Sequence, residues 1–111
     1  MNYRRGDVVT CAPPGEYGKP RPAVVLQSDL FNATHASVTL CPLTSHLIEA
    51  GLFRILVEPN PENGLKVLSQ AMGDKLTTLR SERLGAVIGH LDDEDLQRLE
   101  SAVMLWLGLK N

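Results

Sequence analysis

Prolines and turn sequences divide the N-terminal half of this chain into short apolar segments, and this division constrains the fold more strongly than any other feature. All seven prolines lie between positions 13 and 61, at or near the ends of these segments. Proline lacks a backbone N–H donor, so it ends a strand or confines it to the edge of a sheet. Within the segments, polar and apolar residues alternate or aliphatic residues cluster, as they do in strands. The pattern therefore predicts a series of short strands.

The predicted strands cover residues 5–12, 21–27, 36–44, 52–58 and 84–90. A further stretch, 67–80, is predicted to be one long strand that is kinked or bulged near Gly73, as happens where a sheet curls into a barrel. The Pro-Asn-Pro-Glu-Asn-Gly sequence at 59–64 is a strong turn. It predicts a hairpin between the fourth strand and the segment that begins at Leu65.

The C-terminal region has a helical pattern. Asp92 and the three acidic residues after it supply an N-cap and an acidic first turn, which suit the positive end of a helix dipole. Apolar residues then recur at helical spacing up to Leu107, and Gly108 is suited to end the helix. We predict an amphipathic helix over 93–107, and a single helical turn after Ser28. Short strands followed by one helix indicate a mainly β chain: a small, partly open antiparallel barrel with a C-terminal α-helix.

Length and charge limit the classes of function. A chain of 111 residues with 43% hydrophobic residues is expected to form one domain over 1–111 with a real core. The net charge is −2 and the sequence pI is about 5.9, so no global basic field recruits nucleic acid. Any anionic ligand must therefore use a local site.

Cysteine and histidine positions give no indication of metal chemistry. Cys11 and Cys41 lie in apolar stretches without metal-type spacing, and we expect both to be buried and reduced. The three histidines are dispersed, so neither a metal site nor a cofactor is expected. The N-terminus lacks the apolar core of a signal peptide, and no apolar run is long enough to span a bilayer. We expect a cytoplasmic protein.

The Gly-Lys-Pro-Arg-Pro sequence at 18–22 leads directly into the apolar Ala-Val-Val-Leu of the second predicted strand. Pro20 and Pro22 fix their own φ angles and bias Lys19 and Arg21 toward extended geometry. Arg21 is thereby placed at a junction between loop and strand. Its guanidinium stays charged and offers a planar set of donors that suits phosphate or carboxylate. From this stretch alone, an ion pair at a strand end is the favoured explanation.

Polar residues also follow the third predicted strand. Thr44, Ser45 and His46 come immediately after Cys-Pro-Leu, where a strand end presents polar side chains toward a cleft. They become neighbours of Arg21 if the second and third strands pair. Loops on a rigid scaffold commonly carry function, and the loop at 13–20 contains Glu16 and Tyr17.

Three separated stretches resemble one family, the MazF/PemK-like toxins of bacterial toxin–antitoxin systems. They are Arg-Gly-Asp-Val-Val at 5–9, Gly-Lys-Pro-Arg-Pro-Ala-Val-Val-Leu at 18–26, and Asp-Lys-Leu-Thr-Thr-Leu-Arg-Ser-Glu-Arg-Leu-Gly at 74–85. The third is the most specific, and the set follows the family's order over nearly the whole chain. The resemblance implies an SH3-like barrel of the CcdB/Kid/MazF type. It also implies a homodimer that acts as a metal-independent, sequence-specific endoribonuclease on single-stranded RNA.

The resemblance also assigns roles to residues. Arg21 and Thr44 correspond to the expected catalytic pair, and Glu16 corresponds to the acid in the loop, a hypothetical general base for which His46 is an alternative. Two copies of the basic residues would form a positive channel for RNA. The residues expected to bind RNA are Lys19, Tyr17, Ser69, Lys75, Arg80 and Arg83.

Partners and alternative functions follow from the same resemblance. The expected partner is a MazE-like antitoxin, with operator DNA bound through the complex of toxin and antitoxin. Relatives with the same barrel poison DNA gyrase without cleaving anything, and the barrel also serves as an inactive binding module. Arg21 together with Thr44 favours the nuclease over both alternatives.

Overall fold

The structure is a computed structural model that describes residues 2–12 and 19–110. In these ranges the chain forms seven strands, a short helix and a longer helix, with a 3-10 turn at Ser81–Arg83. The helices are α1 (Asp29–Asn32) and α2 (Asp93–Leu107). The strands are β1 (Asp7–Cys11), β2 (Arg21–Val25), β3 (Ser37–Thr44), β4 (Arg54–Val57), β5 (Ser69–Met72), β6 (Thr77–Arg80) and β7 (Leu84–His90).

All strand pairs are antiparallel, and β3 is the centre of the sheet. The strand order is β4-β5-β3-β2-β1-β7, and β6 also pairs with β3. The N-terminal half of β3 pairs with β6 and its C-terminal end pairs with β5, while β2 pairs with β3 on the other side. The sheet therefore curls around β3. The predicted mainly β class, with a partly open antiparallel barrel and a C-terminal helix, is confirmed.

The prediction of one long strand over 67–80 is wrong. The chain forms two strands, β5 and β6, with a turn at residues 73–76 between them. Both strands pair with β3, but the register shifts by three residues between the Leu43↔Ala71 pair and the Leu40↔Thr77 pair. Three extra residues exceed a one-residue bulge, so the chain forms a turn there. The predicted hairpin is confirmed, because β4 pairs with β5.

The core lies on both faces of β1, β2 and β3, since successive side chains of a strand point to opposite faces. On one face, buried residues pack together with Leu99 and Ala102 of α2. On the other face, they pack with Tyr3 and Leu79. The first set from the three strands is Val8, Val24, Cys41 and Leu43, and the second is Val9, Cys11, Ala23, Val25, Val38 and Leu40. The prediction that both cysteines are buried is confirmed.

Both predicted helices begin at the N-caps that the sequence indicated, and α2 also ends where it was predicted to end. The Asp92 side chain accepts a hydrogen bond from the Asp95 N–H at 2.8 Å, and Gly108 ends α2 with φ of 71°. Ser28 caps α1 by accepting from the Leu30 N–H. The last turn of α2 remains half-exposed, with Trp106 tilted against Phe53 at 5.1 Å between ring centroids. Within the described ranges, no helix has the length and apolar character needed to cross a membrane.

Candidate active site

Arg21 and Thr44 lie at the same end of the β2–β3 pair. The register runs through Val25↔Leu40, Val24↔Cys41 and Ala23↔Pro42, and Arg21 and Thr44 each lie two residues beyond the last of these pairs. Both residues line the same two cavities, so they share one region of the surface. The predicted neighbourhood of these two residues required β2 and β3 to pair, and the two strands do pair.

Strand pairing with β1 holds the backbone of Arg21. The residue is paired with Cys11 of β1, so it belongs to the sheet rather than to the preceding loop. Its side chain is exposed. The flanking Pro20 and Pro22 line the same cavity, and their fixed φ angles favour the extended backbone. The guanidinium of Arg21 therefore projects from a strand end that is held by the sheet.

Thr44 has a local hydrogen bond that orients its hydroxyl. Its Oγ1 accepts from the backbone N–H of His46 at 3.0 Å, in a short turn at the end of β3. A hydroxyl that accepts one hydrogen bond still carries its own proton to donate. Thr44 can therefore donate to an anionic oxygen held at Arg21. His46 is exposed, and it lines neither of the two cavities that Arg21 and Thr44 share.

Two cavities meet at the Arg21–Thr44 pair. The first, here called the Lys66 cavity, has a volume of about 410 Å³ and extends toward segment 64–67 and β7. The second, the Lys75 cavity, has a volume of about 240 Å³ and extends toward the turn between β5 and β6. Both are lined by Arg21, Pro22, Leu43 and Thr44.

The charged residues described at these cavities are basic, although the chain as a whole is acidic. Among the described residues that line them, the charged side chains are Arg21, Lys66 and Lys75, and none is acidic. Low-dielectric walls focus such a local field, which attracts anions whatever the net charge. A larger cavity of about 560 Å³ lies beside α2, but its Arg5 is paired with Glu100. The cavities beside Arg21 and Thr44 are therefore the candidate for the predicted local anion site.

Asn63 shapes the wall of the Lys66 cavity. Its side chain is fully buried and donates through Nδ2 to the Glu58 carbonyl at 2.9 Å. Its Oδ1 accepts from the N–H groups of Asn60 and Leu65. The next residue, Gly64, has φ of 71°, and a Cβ there would lie 2.0 Å from the Ile88 carbonyl oxygen. The turn is thereby fixed against β7 before segment 64–67 begins.

An ion pair holds the turn that presents Lys75. The Arg54 guanidinium donates to both Asp74 oxygens, at 2.9 and 3.2 Å, and Arg54 is only 7% exposed. This contact lowers the pKa of Asp74 below its usual value of 3.8. Gly73 fits closely beside it, since a Cβ there would lie 2.4 Å from the Phe53 carbonyl oxygen. Lys75 is therefore placed by a rigid turn.

The other residues predicted to bind RNA are more dispersed. Ser69 lines the Lys66 cavity, but its buried hydroxyl donates to the Val67 carbonyl at 3.0 Å. Lys19 is exposed just before β2 and lines neither cavity. The Arg83 carbonyl accepts from the Ala12 N–H, which sets Arg83 near the end of β1. 

Arg80 lies at the opposite end of β3 from Thr44 in the same chain. It pairs across the sheet with Ser37, and its guanidinium forms an exposed ion pair with Glu82. That contact lowers the pKa of Glu82. The predicted site residues Glu16 and Tyr17 lie outside the described part of the chain.

Sequence reasoning missed Lys66 as a site residue. Lys66 lies two residues after the Asn63-Gly64 turn, in the segment predicted only as the hairpin partner of the fourth strand. The hairpin signal was present, but the packing of that loop against β7 depends on residues far apart in sequence. Across residues 2–12 and 19–110, no group of three or more His, Cys, Asp or Glu side chains is arranged to hold a metal ion.

Comparison with known proteins identifies a family for this chain. The model for the PemK-like, MazF-like toxins of type II toxin–antitoxin systems matches residues 4–107. A probable endoribonuclease MazF from Mycolicibacterium smegmatis is 44% identical over 107 residues, covering 96% of this chain and 97% of that protein. The endoribonuclease MazF9 of Mycobacterium tuberculosis is 30% identical, with the same coverage. A mycobacterial endoribonuclease solved with its cognate antitoxin superimposes with a TM-score of 0.82, covering 98% of both chains at 22% identity.

Proposed function

Because this chain belongs to the PemK-like, MazF-like toxins of type II toxin–antitoxin systems, we propose that it is the endoribonuclease toxin of such a system. Its substrate is single-stranded mRNA in the cytoplasm, and cleavage at short recognition sequences stops translation and growth. The observation that carries this proposal is the Arg21–Thr44 pair between two cavities whose charged described residues are all cationic. The named activity of the relatives supports the same reading.

RNA brings its own nucleophile to this site. The 2′-oxygen attacks the adjacent phosphorus, the bond from phosphorus to the 5′-oxygen breaks, and the products carry a 2′,3′-cyclic phosphate and a 5′-hydroxyl. The protein must align these atoms, stabilise the extra negative charge and move two protons. Arg21 holds the non-bridging oxygens and gives a proton to the departing 5′-oxygen, which leaves as the 5′-hydroxyl. Thr44 donates its hydroxyl proton in a hydrogen bond to the phosphate. No metal is required for these roles.

The general base is assigned to Glu16 on the family likeness. It takes the proton of the 2′-hydroxyl as the new bond to phosphorus forms. A Glu16→Gln variant keeps the shape of the side chain and removes the basic oxygen. Cleavage at the normal rate by that variant would exclude this role and leave His46 as the next candidate.

Two protein partners follow from the proposal. One is a second copy of this chain, which would bring a second set of Lys19, Lys75, Arg80 and Arg83 to a shared groove. The other is a MazE-like antitoxin that covers the groove, and through it the complex binds operator DNA. The mycobacterial relative solved with its cognate antitoxin supports this partnership.

The test is cleavage of a long single-stranded RNA by the purified protein in excess EDTA, with the fragment ends identified. We expect discrete fragments that end in cyclic phosphate. Arg21→Ala should slow cleavage by about 10²–10³-fold, the usual cost of losing one donor to a developing oxyanion. Lys110→Ala, which removes an exposed cation near the C-terminus, is the matched control and should cleave normally. Intact RNA from a folded protein would favour a gyrase-directed toxin or an inactive binding module.

A further inference from the structure

The Arg21–Thr44 pair separates two cavities of different size. Arg21 and Thr44 line both the Lys66 cavity and the Lys75 cavity. A phosphate held at the pair would therefore adjoin both open spaces. An RNA strand has one nucleoside on each side of any internal phosphate. The arrangement matches a strand that passes over the pair from one cavity to the other.

We propose that the Lys66 cavity is a binding subsite for one of the two nucleosides that flank the cleaved phosphate, and that Lys66 contacts the next phosphate along the strand. This inference rests on the proposed ribonuclease function. It assigns a role to segment 64–67, which lies outside the catalytic pair and outside the loop before β2.

The size and lining of the Lys66 cavity fit a nucleoside. Its volume of about 410 Å³ falls within the range of about 300–1,000 Å³ that is typical of small-molecule sites. The smaller cavity, at about 240 Å³, falls below that range. Leu65, Val67 and Ile88 supply apolar surface for a base, and Thr10 and Ser45 supply hydroxyls. Bases stack on apolar surfaces and bond through their edges when RNA is single-stranded.

The wall of this subsite is organised before any ligand binds. The buried Asn63 side chain makes three hydrogen bonds within the turn, and the Glu62 carbonyl accepts from the His90 N–H at 2.8 Å. Gly64 and Gly89 permit the close approach of the turn to β7, since a Cβ at either would lie within 2.4 Å of backbone atoms. Because this wall is already ordered, little conformational entropy is lost when a ligand binds. Lys66 is exposed at its rim, where a phosphate is accessible.

The first experiment measures the salt dependence of RNA binding. The probe is a short RNA that spans a mapped cleavage site and carries 2′-deoxyribose at the cleaved position, so that it binds without reacting. Each phosphate contact on single-stranded nucleic acid contributes about 0.7 to the slope of log K against log salt concentration. We expect Lys66→Ala to reduce the slope by about 0.7, and Lys66→Arg and Lys110→Ala to leave it unchanged. An unchanged slope in Lys66→Ala would overturn the phosphate contact.

The second experiment separates binding from chemistry. For an exposed charge we expect Lys66→Ala to raise KM about two- to five-fold, with kcat unchanged. Asn63→Ala should also raise KM while it leaves the salt slope intact, because it alters the wall and removes no charge. An RNA that lacks the base on one side of the cleaved phosphate should lose the effect of Asn63→Ala if that base occupies the cavity.

The outcomes distinguish the two proposals. If the unmodified protein cleaves no RNA, the proposed function and this inference both fail. If it cleaves normally, and Lys66→Ala and Asn63→Ala behave like Lys110→Ala, only the subsite is wrong.

Discussion

The ion pair between Arg54 and Asp74 gives the most quantitative prediction of stability. Arg54 is 7% exposed and Asp74 is 18% exposed, and two hydrogen bonds join them at 2.9 and 3.2 Å. An Asp74→Asn substitution keeps the shape but replaces one acceptor oxygen with an amide donor that faces the guanidinium. Hydrogen bonds to charged groups contribute about 1.5–3 kcal/mol each, and breaking a fully buried pair costs about 3–5 kcal/mol. Because this pair is not fully buried, we expect Asp74→Asn to lower the free energy of unfolding by about 2–4 kcal/mol at pH 7.

The destabilisation caused by Asp74→Asn should decrease as the pH falls. The guanidinium of Arg54 lowers the pKa of Asp74 below 3.8 in the folded state. A lowered carboxyl pKa stabilises the folded state above the unfolded pKa, and this contribution is lost as the pH falls through the folded pKa. The difference in free energy of unfolding between the unmodified protein and Asp74→Asn should therefore be largest near pH 7 and should decrease below about pH 4.

The assay is thermal unfolding at fixed protein concentration between pH 7 and pH 3, because oligomerisation makes Tm depend on concentration. At roughly 4 °C per kcal/mol for a domain of this size, the Tm of Asp74→Asn should be about 8–16 °C lower at pH 7. Glu82→Gln is the matched control, since the Arg80–Glu82 pair has the same chemistry on an exposed surface. Its Tm should change far less, and salt should remove the change. If the Tm of Asp74→Asn equalled that of the unmodified protein at pH 7, or remained as far below it at pH 3, the ion pair would not stabilise the fold as proposed.

Three other substitutions or treatments test the packing around the site. Leu99→Ala removes a fully buried side chain where α2 meets the sheet, and denaturant unfolding should show a loss of about 2–5 kcal/mol; a loss under 1 kcal/mol would contradict the assigned core. Burial raises the pKa of the Cys41 thiol to about 12, so mass spectrometry should find Cys41 unalkylated at pH 8 in the folded protein and alkylated after unfolding; rapid alkylation in the folded state would argue against its burial. Gly64→Ala strains a positive φ and forces a Cβ against the Ile88 carbonyl, so Tm and RNA affinity should both fall; wild-type values of both would show that the turn is not fixed against β7.

The parts of the fold that local chemistry specifies were predictable from the sequence. The bounds predicted for the C-terminal helix, 93–107, are those of α2, because the Asp92 cap and Gly108 specify both ends. The sequence placed Thr44 near Arg21 on the condition that the second and third strands pair, and β2 and β3 do pair.

The parts that depend on distant contacts were not predictable. Gly73 indicates an irregularity at this point, but the break between β5 and β6 reflects a three-residue register shift against β3, which depends on pairing with a distant strand. Lys66 was missed for a similar reason, because its place beside Arg21 requires the hairpin turn to pack on β7, more than twenty residues later in the chain. Arg80 is predicted to reach the RNA channel in a groove shared by two copies of the chain, and within one chain β6 pairs with the far half of β3.

In the proposed mechanism, Arg21 and Thr44 supply charge and alignment while the RNA supplies the nucleophile. Two RNAs that differ by one oxygen test this: a substrate with one mapped site, and the same RNA with 2′-deoxyribose at the cleaved nucleotide. In excess EDTA, we expect cleavage of the first to a 2′,3′-cyclic phosphate and no cleavage of the second, which should still bind as a competitive inhibitor. Cleavage of the deoxy-substituted RNA at the same bond would exclude this mechanism, since the nucleophile would then come from water or the protein.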